Sequence, residues 1–178
     1  RISEIPIANN QFTYDNIALA RTYGFEASIG RPVSLSEKKG LNMQLSSSFI
    51  RGDEIKENNG FLYIGTPLIG IPPLRLRLHS AYSQQITKYL NYSINLDIDK
   101  LSAFNRIPEG ILRQTWAVQI TEGYWLLNLE SRINLKLKNN LMVINAGVTN
   151  LFNAIYYPFG ARIMGMGRNY RIGLRFEF

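Results

Sequence analysis

Cysteine is absent from the 178 residues, and histidine occurs once, at His79. The first absence excludes a disulfide framework and thiolate metal sites; the second argues against a histidine-built zinc site. Long apolar runs are missing too. No stretch approaches the roughly 20 residues of a membrane helix, so this chain could cross a bilayer only as strands of a closed barrel. Acidic residues are scarce, with 13 Asp and Glu against 20 Lys and Arg, a net charge of +7. A basic surplus of this kind can mark a nucleic-acid binder, but such proteins bunch their cations. Here the cations are spread singly, Lys38-Lys39 being the one adjacent pair, and nucleic acid is not an expected partner. No signal peptide opens the chain, and Arg1 reads as mid-sequence.

What is present is a period of two. From Tyr124 to Leu137, one face carries Trp125, Leu127, Leu129, Ser131, Ile133, Leu135 and Leu137, and the other Leu126, Asn128, Glu130, Arg132, Asn134 and Lys136. Successive side chains of a strand point to opposite faces, so one face is nearly all apolar and the other nearly all polar. Residues 88–100 repeat the split, setting Leu90, Tyr92, Ile94, Leu96 and Ile98 against Asn91, Ser93, Asn95, Asp97 and Asp99. The pattern predicts strands over 22–31, 41–51, 74–83, 88–100, 124–137, 141–152 and 168–178. That is about seven strands of roughly 9–14 residues in one antiparallel meander, against the roughly 9–11 that a tilted membrane strand needs.

The predicted connections alternate in length. Short ones lie near 32–40, 84–87 and 138–140; long ones lie near 52–73, 101–123 and 153–167, with 1–19 as the tail of another. Outer-membrane barrels have short periplasmic turns and long external loops, which would put the short turns and the C-terminus in the periplasm. A soluble β-sandwich also alternates, its apolar face on a core. Against it stand charges and amides at mid-strand beside nearly unbroken apolar faces. So does the clustering of aromatics near strand ends, at Tyr124, Trp125, Phe152, Tyr156, Tyr157, Phe176 and Phe178, as in the girdles of a membrane interface.

Four segments carry a family resemblance. Gly147-Val148-Thr149-Asn150-Leu151-Phe152-Asn153 resembles the Asn-Leu-Phe motif of the penultimate strand of TonB-dependent receptors, and Gly167 to Phe178 resembles their last strand, which ends on an aromatic residue. Tyr23-Gly24-Phe25-Glu26 resembles another recurring strand of that barrel, and Pro67-Leu68-Ile69-Gly70-Ile71-Pro72-Pro73-Leu74 a loop-to-strand entry, in a spelling similar to Bacteroidetes-type receptors.

The resemblance implies an all-β fold, an antiparallel transmembrane segment of a barrel of about 22 strands. Residues 1–178 would be its C-terminal part, without the plug domain and the N-terminal strands. It implies a place in the Gram-negative outer membrane and uptake of a scarce nutrient (an iron chelate, a cobalamin-like compound or an oligomeric nutrient) energised by TonB. The implied partners are the rest of the receptor, the TonB complex through the plug, outer-membrane lipid and the assembly machinery. Tyr170, Gly173, Phe176 and Phe178 would form the assembly signal, with Ile172 where the family prefers a polar residue. The alternative is a stand-alone β-domain, in the outer membrane or soluble, that binds or scaffolds.

No catalytic constellation, metal site or cofactor site is expected. His79 shares its face with Arg75 and Arg77, whereas Ser80 points the other way, and Ser83 lies four residues off, roughly 13 Å along a strand. Asp97 and Asp99 share a face about 7 Å apart and, with Asp15 and Asp53, could suggest metal binding. The reading preferred is a hydrated lumen wall, its carboxylates paired with Arg75, Arg77 and Arg132. Lumen-lining candidates are therefore Arg75, Arg77, Asp97, Glu130, Arg132 and Arg175, with Arg171 beside them, available to the plug or to anionic ligands. Gly165-Met166-Gly167-Arg168 lacks the Lys-Ser/Thr ending and the helix of a phosphate loop, and reads as a flexible return to the last strand.

Overall fold

The computed structural model describes residues 2–6, 12–16, 19–107 and 120–178, with the backbone alone at 2–6, 12–16, 57 and 63. Its elements are all strands: β1 (Ile2–Pro6), β2 (Phe12–Asn16), β3 (Ala20–Ser36), β4 (Lys39–Asn58), β5 (Phe61–Pro67), β6 (Arg75–Thr87), β7 (Leu90–Leu101), β8 (Tyr124–Leu137), β9 (Asn140–Thr149) and β10 (Asn169–Glu177). β1 and β2 form a separate hairpin. The others make one open antiparallel sheet in the order β10-β9-β8-β7-β6-β4-β3, with β5 paired to β4. No described helix is long and apolar enough to cross a membrane.

All seven strands expected from the alternation are present. The one over 124–137 has its predicted bounds, and the one expected over 141–152 ends at Thr149, where the chain turns at Asn150. The others differ mostly at their turn ends. The connection expected over 32–40 shrinks to Glu37-Lys38, and that over 84–87 moves to Lys88-Tyr89, because ladder pairing continues past the alternating stretches to Ser36↔Lys39 and Thr87↔Leu90. Two-residue turns close the third hairpin as well, at Lys138-Asn139 between Leu137 and Asn140.

Two supposed loops hold strands. β1 pairs β2 within the expected tail 1–19. The expected loop 52–73 contains the top of β4 and the whole of β5, joined at Asn59-Gly60. Asn59 and Gly60 have φ of 50° and 80°, the paired positive angles that a type I′ turn demands and that Asn-Gly adopts at least cost. After β5 the chain folds back across β4. Leu68 donates its N–H to the Gly52 carbonyl at 3.0 Å, and Leu68 and Ile71 pack on Gly52, where an added Cβ would stand 3.0–3.1 Å from them. The Ile-Pro-Pro segment thereby delivers Leu74 to the start of β6, whose lower partner on β4 runs from Lys39 to Ser48.

The register keeps the two faces distinct across the whole sheet, since residues directly opposite in an antiparallel pair share a face. One row runs Arg31, Met43, Ser80, Leu96, Leu129, Val148, Tyr170. The neighbouring row on the other face runs Pro32, Asn42, Ala81, Asn95, Glu130, Gly147, Arg171. Burial follows neither face. The few buried apolar side chains include Leu68, Leu101 and Phe104 at the loop end, while Ile29 and Ile172 on the apolar face are 74% and 85% exposed. A sheet with one continuous bare apolar face is far beyond the patch size a soluble monomer carries.

Candidate functional site

The polar face is where charged groups converge. On β6 and β7 the register sets Arg77 opposite Asp99 and His79 opposite Asp97, with Arg75 two pairs further on, opposite Leu101. Arg75 grips Asp99 with two nitrogens, its Nε donating at 2.8 Å, and Arg77 stands 3.8 Å from the same carboxylate. His79 Nδ1 lies 2.7 Å from Asp97 Oδ1. Further across, Arg171 on β10 reaches over Gly147 to Glu130 on β8 at 3.2 Å, and an added Cβ at Gly147 would stand 3.0 Å from that arginine. Arg175 pairs Glu177 at 2.7 Å along β10. These are mostly solvated pairs, each worth about 0–1 kcal/mol; their effect is to fix side chains on a hydrated wall rather than to hold the sheet together.

All six expected wall residues, Arg75, Arg77, Asp97, Glu130, Arg132 and Arg175, thus share one face. Two of the expected pairings are corrected. Asp97 takes His79 rather than an arginine, because the register places those two side by side. Arg132 Nε donates to Asn145 at 2.8 Å instead of to an aspartate, because β9 sets Asn145 directly opposite and β7 offers only Ser93 there. Ser80 pairs with Leu96 on the apolar face, and Ser83 lies four ladder pairs beyond the His79–Asp97 pair. Asp97, Asp99 and Asp53 are each engaged by cationic or imidazole groups, and no three metal-ligating side chains gather among the described residues. The side chain of Asp15 lies outside the described residues.

A second cluster caps the loop end. Asp53, 1% exposed, takes Arg106 from the β7–β8 connection at 2.5 Å and Arg51 at 3.3 Å. Burial pushes the Asp53 carboxyl up, but the hydrogen bond and charge of Arg106, with Arg51 behind it, hold it below the usual carboxylate range. Beside it Phe104 pairs with Thr121 through two backbone hydrogen bonds and meets Phe159 edge-on at 5.0 Å. The Tyr156 ring meets that of Tyr124 at 4.6 Å with the planes tilted by 46°, and it also covers Gly165, where an added Cβ would overlap the ring outright.

The expectation of a flexible return at Gly165 to Arg168 is therefore corrected. Asn150, in the left-handed region at φ 51°, donates its side-chain N–H groups to the carbonyls of Ala154 and Met166 at 2.9 and 3.1 Å. Its Oδ1 accepts from Ala154 N at 2.8 Å, and its own backbone N–H donates to Asn128 Oδ1 at 2.9 Å. Asn153, at φ 54°, accepts the Arg168 N–H at 2.9 Å. The two asparagines of Asn-Leu-Phe-Asn pin both ends of the return. Asparagine suits both roles, since it tolerates the left-handed region and has an amide to bind backbone.

The residues expected to signal assembly lie on or next to β10, whose outer edge has no partner among the described residues. Tyr170 and Phe176 stand on the apolar face of β10, and Gly173 lies opposite Asn145 on the polar one. An added Cβ at Gly173 would meet only Asn145 Nδ2 at 3.9 Å, so the described sheet does not require glycine there. Phe178 follows the last paired residue and is 99% exposed.

A family model described as TonB dependent receptor-like, beta-barrel, matches residues 1–151. Neither a curated protein nor a solved structure matches the chain.

Proposed function

The chain belongs to the family of TonB-dependent receptor-like β-barrels, and from that membership we propose that it forms the C-terminal part of the barrel of an outer-membrane nutrient transporter. The family is one of outer-membrane receptors that transport with energy delivered through TonB. In this reading the apolar face meets lipid. The polar wall of Arg75, Arg77, Asp97, Glu130, Arg132 and Arg175 lines the lumen, where it holds water and contacts the plug. The two-residue turns and Phe178 face the periplasm, and the capped loop end faces outside. Among the described residues the outer edges of β3 and β10 have no partner strand, and lipid cannot satisfy their backbone groups, so further strands complete the barrel. Tyr170, Gly173, Phe176 and Phe178 serve as the assembly signal. The role is transport, with no chemistry on the cargo. The cargo is a scarce nutrient such as an iron chelate, a cobalamin-like compound or an oligomer.

The observation that carries the reading is the register, which gathers most of the charges, the carboxylates of Asp97, Asp99 and Glu130 among them, on one face and leaves bare apolar side chains on the other across seven strands. The test is uptake of labelled ferric chelates, cobalamin and oligosaccharides by cells with and without the receptor, before and after collapse of the proton-motive force. One cargo should depend on both. Uptake of every cargo unchanged by loss of the receptor would contradict the reading.

A further inference from the structure

Among the described residues three asparagines have positive φ: Asn59 at 50°, Asn150 at 51° and Asn153 at 54°. Two have their side-chain amides occupied. Asn150 bonds the backbone of Ala154 and Met166, and Asn153 accepts the Arg168 N–H. Asn59 is different. Its side chain has no hydrogen-bond partner among the described residues, and neither has the N–H of Gly60 that follows it. Both residues are exposed, and the space around Gly60 is open. Asn59-Gly60 is also the one Asn-Gly pair in the sequence.

A free asparagine amide before a glycine can react with its own main chain. The Gly60 nitrogen gives up its proton and attacks the Asn59 Cγ, and glycine has no side chain to shield that nitrogen. A bond forms between the nitrogen and Cγ, the bond from Cγ to Nδ2 breaks, and Nδ2 takes up a proton and leaves as ammonia. Water then opens the five-membered imide at either carbonyl. One opening leaves an aspartate at position 59. The other leaves an isoaspartate, whose main chain runs through the side-chain carbon. Water is the only co-reactant.

The turn opposes this reaction. In a type I′ turn the first central residue has a small positive ψ, which directs the Asn59 Cβ away from the Gly60 nitrogen. Ring closure needs a rotation about ψ well beyond a right angle. The pairing of Asn58 with Phe61 on either side of the turn prevents that rotation while the hairpin is closed.

We propose that Asn59 is a site of spontaneous deamidation and that opening of the β4–β5 hairpin controls its rate. The aspartate product keeps the turn, since Asp-Gly suits type I′ as Asn-Gly does, and adds a negative charge at the tip. The isoaspartate product adds a carbon to the main chain. Asn58 and Phe61 then no longer stand opposite, and the hairpin frays toward the irregularity between Asp53 and Ile55.

The receptor carrying this chain is incubated in mildly alkaline buffer beside a peptide of residues 56–63, which has no sheet to hold it. Digests are followed by mass spectrometry, with electron-transfer fragmentation separating aspartate from isoaspartate at position 59. Both products should accumulate in the receptor at Asn59, and not at Asn150 or Asn153. The rate should lie about tenfold or more below that of the peptide, because the paired hairpin must open first. Phe61→Pro removes the N–H that closes the turn, and should raise the receptor's rate about three- to tenfold, as expected for one lost hydrogen bond. Heat-modifiable gel mobility verifies that the barrel is folded, and the comparison of receptor with peptide carries the test if the variant is not. Asn59 still intact in the receptor long after the peptide is exhausted overturns the site. A receptor rate equal to the peptide's, or one unmoved by Phe61→Pro in a folded barrel, overturns the control by the hairpin.

Discussion

The Arg106 guanidinium reaches the buried carboxylate of Asp53 at 2.5 Å across 53 residues of chain, tying the β7–β8 connection to the top of β4. A hydrogen bond to a charged group is worth about 1.5–3 kcal/mol. Arg106→Leu should therefore speed protease cleavage of that connection by about tenfold or more while the strands stay protected. The pH dependence follows from the direction of the shift. Asp53 has a folded pKa below its ordinary value, so its contribution is complete above that ordinary value, about 3.9, and is lost as pH falls through the lowered one. Cleavage should be the same at pH 7.5 and pH 5 and rise only in stronger acid. A rise between 7 and 5 would assign the latch to another group.

Gly165 has no room for a Cβ against the Tyr156 ring. Gly165→Ala should expel that ring from its contact with Tyr124 and loosen the return to β10, at a local cost of about 1–3 kcal/mol. Gly160, whose position is open, makes the comparison, although its φ of 75° means that a substitution there carries backbone strain of its own. The measurement is iodination of Tyr156, which should rise sharply in Gly165→Ala. Unchanged labelling would mean that the contact does not exist in solution.

How much of this could be read from the chain depends on the range of the interaction. Alternation is local, so the strands and both faces were visible in Trp125 to Leu137 alone. Asn59-Gly60 is an equally local hairpin signal, but Asp53, Glu54, Lys56 and Glu57 before it are charged and hide the top of β4, and the short apolar run Phe61 to Ile64 of β5 does not alternate. The Arg106–Asp53 latch and the Tyr156–Gly165 contact join residues whose proximity only the strand order decides, and nothing in their spacing marks them. The partners of Asp97 and Arg132 were misjudged for the same reason: like-signed candidates share a face, and only register selects among them.

Leu129 pairs with Leu96 and Val148 in mid-sheet on the apolar face. Leu129→Arg should destabilise the barrel by about 2–4 kcal/mol if the residue lies near the bilayer midplane. Asn128 is a poor control, since its side chain holds the Asn150 N–H at 2.9 Å. Asn95 is better, facing Glu130 across the polar side. Asn95→Arg should cost little. Equal costs in a refolding titration into lipid vesicles would mean that the face assignment is wrong.

Phe178 should matter for assembly more than for transport. Tyr170, Ile172, Leu174 and Phe176 give the apolar side of β10 without a break, and all four are exposed, while the outer edge of the strand has no partner among the described residues. An edge in that state is a template for strand addition and cannot persist in lipid. The final strand must therefore be guided to a partner before the barrel closes. Phe178 lies one residue past the ladder and is 99% exposed. It touches neither the charged wall nor the loop-end cap, so it is placed to be recognised from outside and not to contact cargo. In the aromatic belt of the periplasmic interface its ring would also anchor the chain end. Deleting Phe178 should lower the amount of folded receptor in the outer membrane, while uptake per folded receptor stays nearly constant. Heat-modifiable gel mobility counts the folded barrels, and uptake is measured on the same cells. Normal barrel levels with lost uptake would assign the C-terminus to cargo handling instead.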